Sequence, residues 1–219
     1  MPAGPVFNLA NWKLTLPICT YNPPNPDEVK QPELNYYRSP FFRPNDAGDG
    51  MIFRAQADGV PTVGADYART ELREMTARGA RLASWPCGTG RHTMTIRQSI
   101  DQLPSGRPAV VAGQIHQTTA YGMLIRLDGT RLYVRTADGP MGDLDSCYRL
   151  GAVFTLTAEA AGGQIRVWYE GELKAEFPRN WETCYFKAGV YLQSNPQRWG
   201  DSGQSYGQVT IYALDVSHA

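Results

Sequence analysis

Residues 185–193 read YFKAGVYLQ, from Tyr185 to Gln193. Successive side chains of a β-strand point to opposite sides of a sheet, so the stretch divides by parity. Cys184, Phe186, Ala188, Val190 and Leu192 make a uniformly apolar face that belongs against a core. Tyr185, Lys187, Gly189, Tyr191 and Gln193 make the other, with an ammonium, two phenols, an amide and a glycine that leaves room between them. A merely solvated face favours short or charged groups; this one has the make-up of a surface lying under a ligand.

Two further stretches share the design. In RTELR, residues 69–73, Arg69, Glu71 and Arg73 fall on one face and Thr70 and Leu72 on the other. In GQIHQ, residues 113–117, Gln114 and His116 share a face and Ile115 points away. If the three strands lie in one sheet, their polar faces form a single floor. Residues two apart on a strand are separated by about 6.6 Å and residues four apart by about 13 Å. Gln114 and His116 can therefore reach one sugar-sized ring, whereas Arg69 and Arg73 must contact different ligand units. A floor of that length suits a polymer better than a small metabolite. Taken singly, RTELR also reads as a solvated strand with an Arg–Glu pair of little energetic weight. A lone histidine is ordinarily structural, and His92 and His218 are read that way.

Around these strands the chain is a succession of short ones. Trp12, Leu14 and Leu16 alternate before Pro17. Segments 36–42, 51–55, 80–85, 92–100, 110–117, 121–127, 131–136, 153–158, 164–170, 173–177 and 208–216 read as strands, with Asp128-Gly129 a strong hairpin signal. Residues 18–33, 58–66 and 194–206 read as loops bordering the cleft. No helical period persists beyond a turn or two. Many short strands with regular turn signals predict an all-β sandwich or jelly roll, and a single domain over residues 1–219 is expected.

The chain has 21 basic and 21 acidic residues and a net charge of zero, so no global basicity points to nucleic acid. An anionic ligand would need local positive charge, which the 69–73 and 185–193 strands supply. No apolar run approaches the roughly 18 residues of a membrane span. The chain opens MPAGPVFNLANW without a signal peptide, as would a mature secreted enzyme carrying an added Met1 or a cytosolic protein. Cys19, Cys87, Cys147 and Cys184 form no CxxC pair. Two disulfides of unassigned pairing are expected, buried free thiols being the alternative. Trp85, Trp168, Trp181 and Trp199 read as buried rather than as sugar platforms.

RTELR at 69–73, QIH at 114–116 and YFKAGVYLQ at 185–193, in this order and with NWKLTLP at 11–17, resemble the alginate lyases of polysaccharide lyase family 7. Leu192 departs from the asparagine usual in the family motif. By parity it falls on the core face, so it bears on local packing or specificity rather than on the chemistry. The resemblance implies a jelly-roll β-sandwich of two antiparallel sheets, the concave one forming a substrate cleft. It also implies endolytic β-elimination on an anionic uronate polysaccharide by a secreted monomer without metal or other cofactor. On that basis Arg69, Gln114, His116 and Tyr191 are the catalytic candidates. Glu71, Arg73, Lys187 and Gln193 are the substrate-binding ones, with Glu71 orienting Arg69 and Arg73. Tyr191 would protonate the leaving O4; either Tyr191 or His116 would take the C5 proton. The rivals are a lyase for another uronate polymer such as glucuronan, a glycoside hydrolase, which would need two facing carboxylates, and a non-catalytic carbohydrate-binding jelly roll.

Overall fold

Period-two alternation places one face of each strand in a shared core, and the computed structural model, described for residues 6–21, 23–118 and 121–219, is built almost wholly of such strands. In chain order they are β1 (Trp12–Thr15), β2 (Glu28–Val29), β3 (Phe42–Pro44), β4 (Met51–Gln56), β5 (Arg69–Thr76), β6 (Arg81–Leu82), β7 (Arg91–Gln102) and β8 (Ala109–Gln117). There follow β9 (Tyr121–Asp128), β10 (Arg131–Thr136), β11 (Gly139–Asp145), β12 (Val153–Ala161), β13 (Gln164–Tyr169), β14 (Glu172–Pro178), β15 (Cys184–Leu192) and β16 (Tyr206–His218). One sheet runs β11-β10-β9-β8-β15-β5-β1-β2, with β6 attached to β5; the other runs β14-β13-β12-β7-β16-β4-β3. The two antiparallel sheets stack as a jelly-roll sandwich.

β15 sits centrally in the first sheet, between β8 and β5. Its apolar parity, Phe186, Ala188, Val190 and Leu192, is wholly buried, and Leu72 of β5 and Ile115 of β8 join it against Phe53, Ile96, Val209 and Ile211 from the opposite sheet. Burying each large aliphatic or aromatic side chain contributes roughly 1.5–3 kcal/mol. The polar parity of the same strands is thereby fixed outward.

Several sequence readings need correction. Residues 36–42 are not a strand: a 3-10 turn over Glu33–Asn35 anchors on buried Leu34, Ser39 makes only an isolated bridge to Phe42, and the strand itself begins at Phe42. Ser39 and Pro40 break the alternation there, and proline brings no ladder donor. Segment 80–85 is reduced to the two-residue β6. β11 escapes the pattern because Gly139, Pro140 and Gly142 have poor strand propensity; it is an edge strand with two register shifts, where such residues are tolerated. All four cysteines are free thiols, although buried Cys87 and Cys184 touch with their Sγ atoms 3.2 Å apart. Of the four tryptophans read as buried, Trp85 is; Trp199 is exposed, and Trp168 and Trp181 are half-covered.

Behind the first sheet, the buried Glu74 collects donors. Its carboxylate accepts from Trp85 Nε1 (3.0 Å) and the Phe186 amide (2.9 Å) and meets His218 Nε2 (2.6 Å). His92 Nδ1 lies 2.8 Å from His218 Nδ1, and the His92 ring stacks on Trp85. Both histidines therefore serve the structure, as expected of them.

Candidate active site

The polar face of the first sheet forms the floor of an open cleft of about 750 Å³. Arg69, Arg73, Gln114, His116, Lys187, Tyr191 and Gln193 all line it. Register explains the convergence of three separate motifs. Tyr191 pairs with Arg69, Lys187 with both Arg73 and Gln114, and Tyr185 with His116. β8 slips its register against both neighbours between Val111 and Gln114. Gly189 lies opposite Glu71 with φ +134° and approaches β5 so closely that a Cβ there would sit 2.5 Å from the Thr70 carbonyl oxygen. Only glycine fits that position without strain.

Glu71 is the exception among the expected substrate contacts. It is 1 % exposed and lies beneath the floor. Its Oε2 receives Arg69 Nη1 at 3.1 Å and Lys187 Nζ at 2.5 Å, and its Oε1 receives the Gln114 amide. Glu71 thus orients Arg69 as expected but not Arg73; its other partners are Lys187 and Gln114. Arg73 donates instead to the Glu74 and Ala83 carbonyls and lies over the Tyr185 ring at 3.9 Å. One buried carboxylate therefore holds three of the candidate groups in a single geometry. Burial alone would raise its pKa, but the Lys187 ammonium and the Arg69 guanidinium outweigh that and keep it below the ordinary carboxylate range.

The remaining titrations follow from the same crowding. Burial lowers Lys187 to about 8, with Glu71 opposing the shift. Burial raises the Tyr191 phenol above its usual value, although the Arg69 guanidinium lies over its ring at 3.9 Å and pulls the other way. Burial, and then the Lys187 charge, lower His116 to about 4. At neutral pH the pair is therefore a protonated phenol and a neutral imidazole. His116 Nδ1 lies 2.5 Å from the Gln117 carbonyl and 3.0 Å from the Tyr185 hydroxyl. A carbonyl oxygen only accepts, so Nδ1 carries the proton and Nε2 presents a lone pair.

Gln193 is held from the side: Arg126 Nη1 donates to its Oε1 at 3.0 Å, and Arg126 is gripped bidentately by Asp128. Arg126 also lines the cleft and was missed by sequence reasoning, though a lone arginine inside the apolar GMLIRL run was the available signal. Residues 62–66 form part of the cleft wall, with Val63 88 % exposed, and Glu28 of β2 forms another part. Segment 194–206 acts indirectly. Asn195 donates to the Asp66 carbonyl, and Trp199 Nε1 to the Tyr67 hydroxyl, whose ring lies 6.3 Å from that of Tyr191. None of the described cleft-lining residues is a tryptophan. Arg69 Nε is buried and has no hydrogen-bond partner among the described residues.

A cationic, open cleft floored by a jelly-roll sheet, lined by a phenol and an imidazole and with no facing pair of carboxylates among the described residues of its motif strands, has the make-up of a carbohydrate-active enzyme for an anionic polymer. The family model described as alginate lyase matches residues 7–218. An alginate lyase of Klebsiella pneumoniae is 39 % identical, covering 98 % of this chain and 91 % of that protein. Among solved structures, alginate lyase AlgAT5 from polysaccharide lyase family 7 superposes with a TM-score of 0.93 at 45 % identity, over 98 % of this chain and 97 % of the other. The alginate lyase from Corynebacterium sp. gives 0.94 at 37 % identity over the full length of both chains. The chain belongs to the alginate lyase family.

Proposed function

We propose that this protein cleaves alginate by β-elimination, with His116 as the base and Tyr191 as the acid. The observation that carries the assignment is a neutral His116, whose Nδ1 is taken by the Gln117 carbonyl and the Tyr185 hydroxyl and whose Nε2 has no hydrogen-bond partner among the described residues, in the same cleft as a protonated Tyr191. His116 Nε2 takes the C5 proton, and the C5–H electron pair becomes the C4=C5 double bond. The C4–O4 bond breaks, and O4 leaves with the Tyr191 proton. Removing a proton beside a carboxylate builds negative charge on that group. Arg69 and Gln114, both held by Glu71, are placed to stabilise it. Arg73, Lys187 and Gln193 serve the flanking carboxylates and hydroxyls. Proton transfer through water from His116 to Tyr191 restores the starting state.

Mannuronate and guluronate are epimers at C5, so the proton and the leaving oxygen lie on the same ring face in one and on opposite faces in the other. A separate base and acid suit the opposite-face case, guluronate. Tyr191 acting alone would first have to be a phenolate, which its raised pKa disfavours. The open cleft suits a polymer entering along its length, hence endolytic cutting; the reading takes the enzyme to be secreted and monomeric. Ultraviolet absorbance tests the reading with alginate, poly-guluronate, poly-mannuronate and glucuronan offered separately. The expected result is the rise of a conjugated double bond, fastest on poly-guluronate. Reducing ends without that rise would mean hydrolysis and would overturn the proposal; so would binding without any product.

A further inference from the structure

The paired registers extend the floor well beyond the candidate catalytic groups. Lys13 of β1 lies opposite Arg73, Arg73 opposite Lys187, Lys187 opposite Gln114, Gln114 opposite Leu124 of β9, and Leu124 opposite Arg135 of β10. All six line the cleft, so they form one continuous row on one face of the sheet. With strands about 4.8 Å apart, the row is about 24 Å long and crosses the strands at right angles.

The cations of this row differ in their engagement. Lys13 is paired with Glu28, and Lys187 with Glu71. Arg73 is tied to carbonyls and to Tyr185. Arg126, on the neighbouring row, is locked by Asp128 and Gln193. Arg135 is half-buried, lines the cleft, and makes no hydrogen bond, ion pair or ring contact among the described residues. It stands two strands, about 10 Å, beyond Gln114. Leu124 between them offers only an apolar surface.

We infer that Arg135 is a distal carboxylate-binding subsite, taking a uronate unit beyond the one that lies over Leu124, and that the polymer runs across the strands along this row. The inference rests on the proposed reading of the Arg69–Gln114–His116–Tyr191 site as the reaction centre. An unengaged guanidinium can grip a carboxylate with two parallel hydrogen bonds, which a lysine in its place cannot. Only chains long enough to span from Gln114 to β10 gain from it.

The test compares the parent protein with Arg135→Gln and Arg135→Lys on alginate polymer and on the shortest oligouronate it cleaves, alongside affinity electrophoresis in alginate-containing gels. On polymer, Arg135→Gln is expected to raise KM about three- to tenfold at unchanged kcat, the range of one exposed charge-assisted contact. Gel retardation should weaken in step, Arg135→Lys should fall between, and the shortest oligomer should be unaffected. The effect should shrink with added salt. Unchanged polymer KM and unchanged retardation in a variant of parental melting temperature would overturn the subsite. So would an equal loss on short and long substrates. If the parent produces no unsaturated product, the reaction-centre reading fails, yet retardation of the parent against Arg135→Gln still decides whether Arg135 binds the polymer.

Discussion

Replacing Glu71 by glutamine tests the claim that one buried carboxylate organises the site. The substitution keeps the shape and removes the charge, leaving Arg69 and Lys187 buried against each other. Both groups meet the same Oε2, at 3.1 and 2.5 Å, and Glu71 is fully enclosed, so no water replaces the lost partner. Breaking a buried ion pair by removing one member costs about 3–5 kcal/mol. For a domain of this size that lowers Tm by about 6–20 °C. Glu71 is also the chief influence raising the Lys187 pKa, which burial has already lowered to about 8. Each 1.4 kcal/mol of lost pairing moves that value down by about one unit, so Lys187 becomes neutral at neutral pH. The expected variant melts earlier, and the alkaline limb of its kcat/KM profile moves below pH 8. Calorimetry and pH-resolved absorbance assays read the two effects. A variant with the parental Tm and an unmoved alkaline limb would refute the reasoning.

Three other outcomes follow from the geometry. In the parent, kcat/KM should fall on the acid side as His116 becomes protonated near pH 4 and on the alkaline side as Lys187 loses its proton near pH 8, since this ratio reports the free enzyme; an acid limb unmoved in a Lys187→Met variant, which deletes a charge that depresses His116, would contradict the assignment. Gly189→Ala forces φ +134° on alanine and drives its Cβ to 2.5 Å from the Thr70 oxygen and 2.9 Å from Phe53. A cost of about 2–6 kcal/mol is expected from strain plus overpacking, measurable by denaturant titration. Mild oxidation should join Cys87 to Cys184, closing a span of 97 residues and stabilising the fold by about 3–5 kcal/mol, whereas peptide mapping that finds any other pair would contradict the packing.

Much of this site was legible because β-structure writes its faces into parity. The alternation in 69–73, 113–117 and 185–193 assigned the cleft-lining side chains to the correct face without any knowledge of which strand neighbours which. What parity cannot carry is depth. Glu71 shares a face with Arg69 and Arg73, yet it lies beneath the floor because Lys187 and Gln114, from strands remote in sequence, close over it. Arg126 and Arg135 stood outside the motif strands, and only the register of β8, β9 and β10 brings them to the cleft. Segment 36–42 failed for a local reason: aromatic residues there suggest a strand, but Ser39 bridges only to Phe42, Pro40 brings no ladder donor, and Tyr36 is left 80 % exposed. The cysteine expectation failed because composition alone says nothing of proximity: Cys147 is exposed and Cys19 only partly covered, while the two that meet are buried.

The central claim is that Tyr191 protonates the leaving oxygen while His116 removes the C5 proton. The most direct measurement is ultraviolet absorbance on poly-guluronate for Tyr191→Phe beside the parent, with alginate retardation measured on the same preparations. The account predicts a loss of about 10²–10⁴-fold in kcat, as for removal of a general acid, with polymer binding and melting temperature retained. Parental turnover by Tyr191→Phe would contradict it.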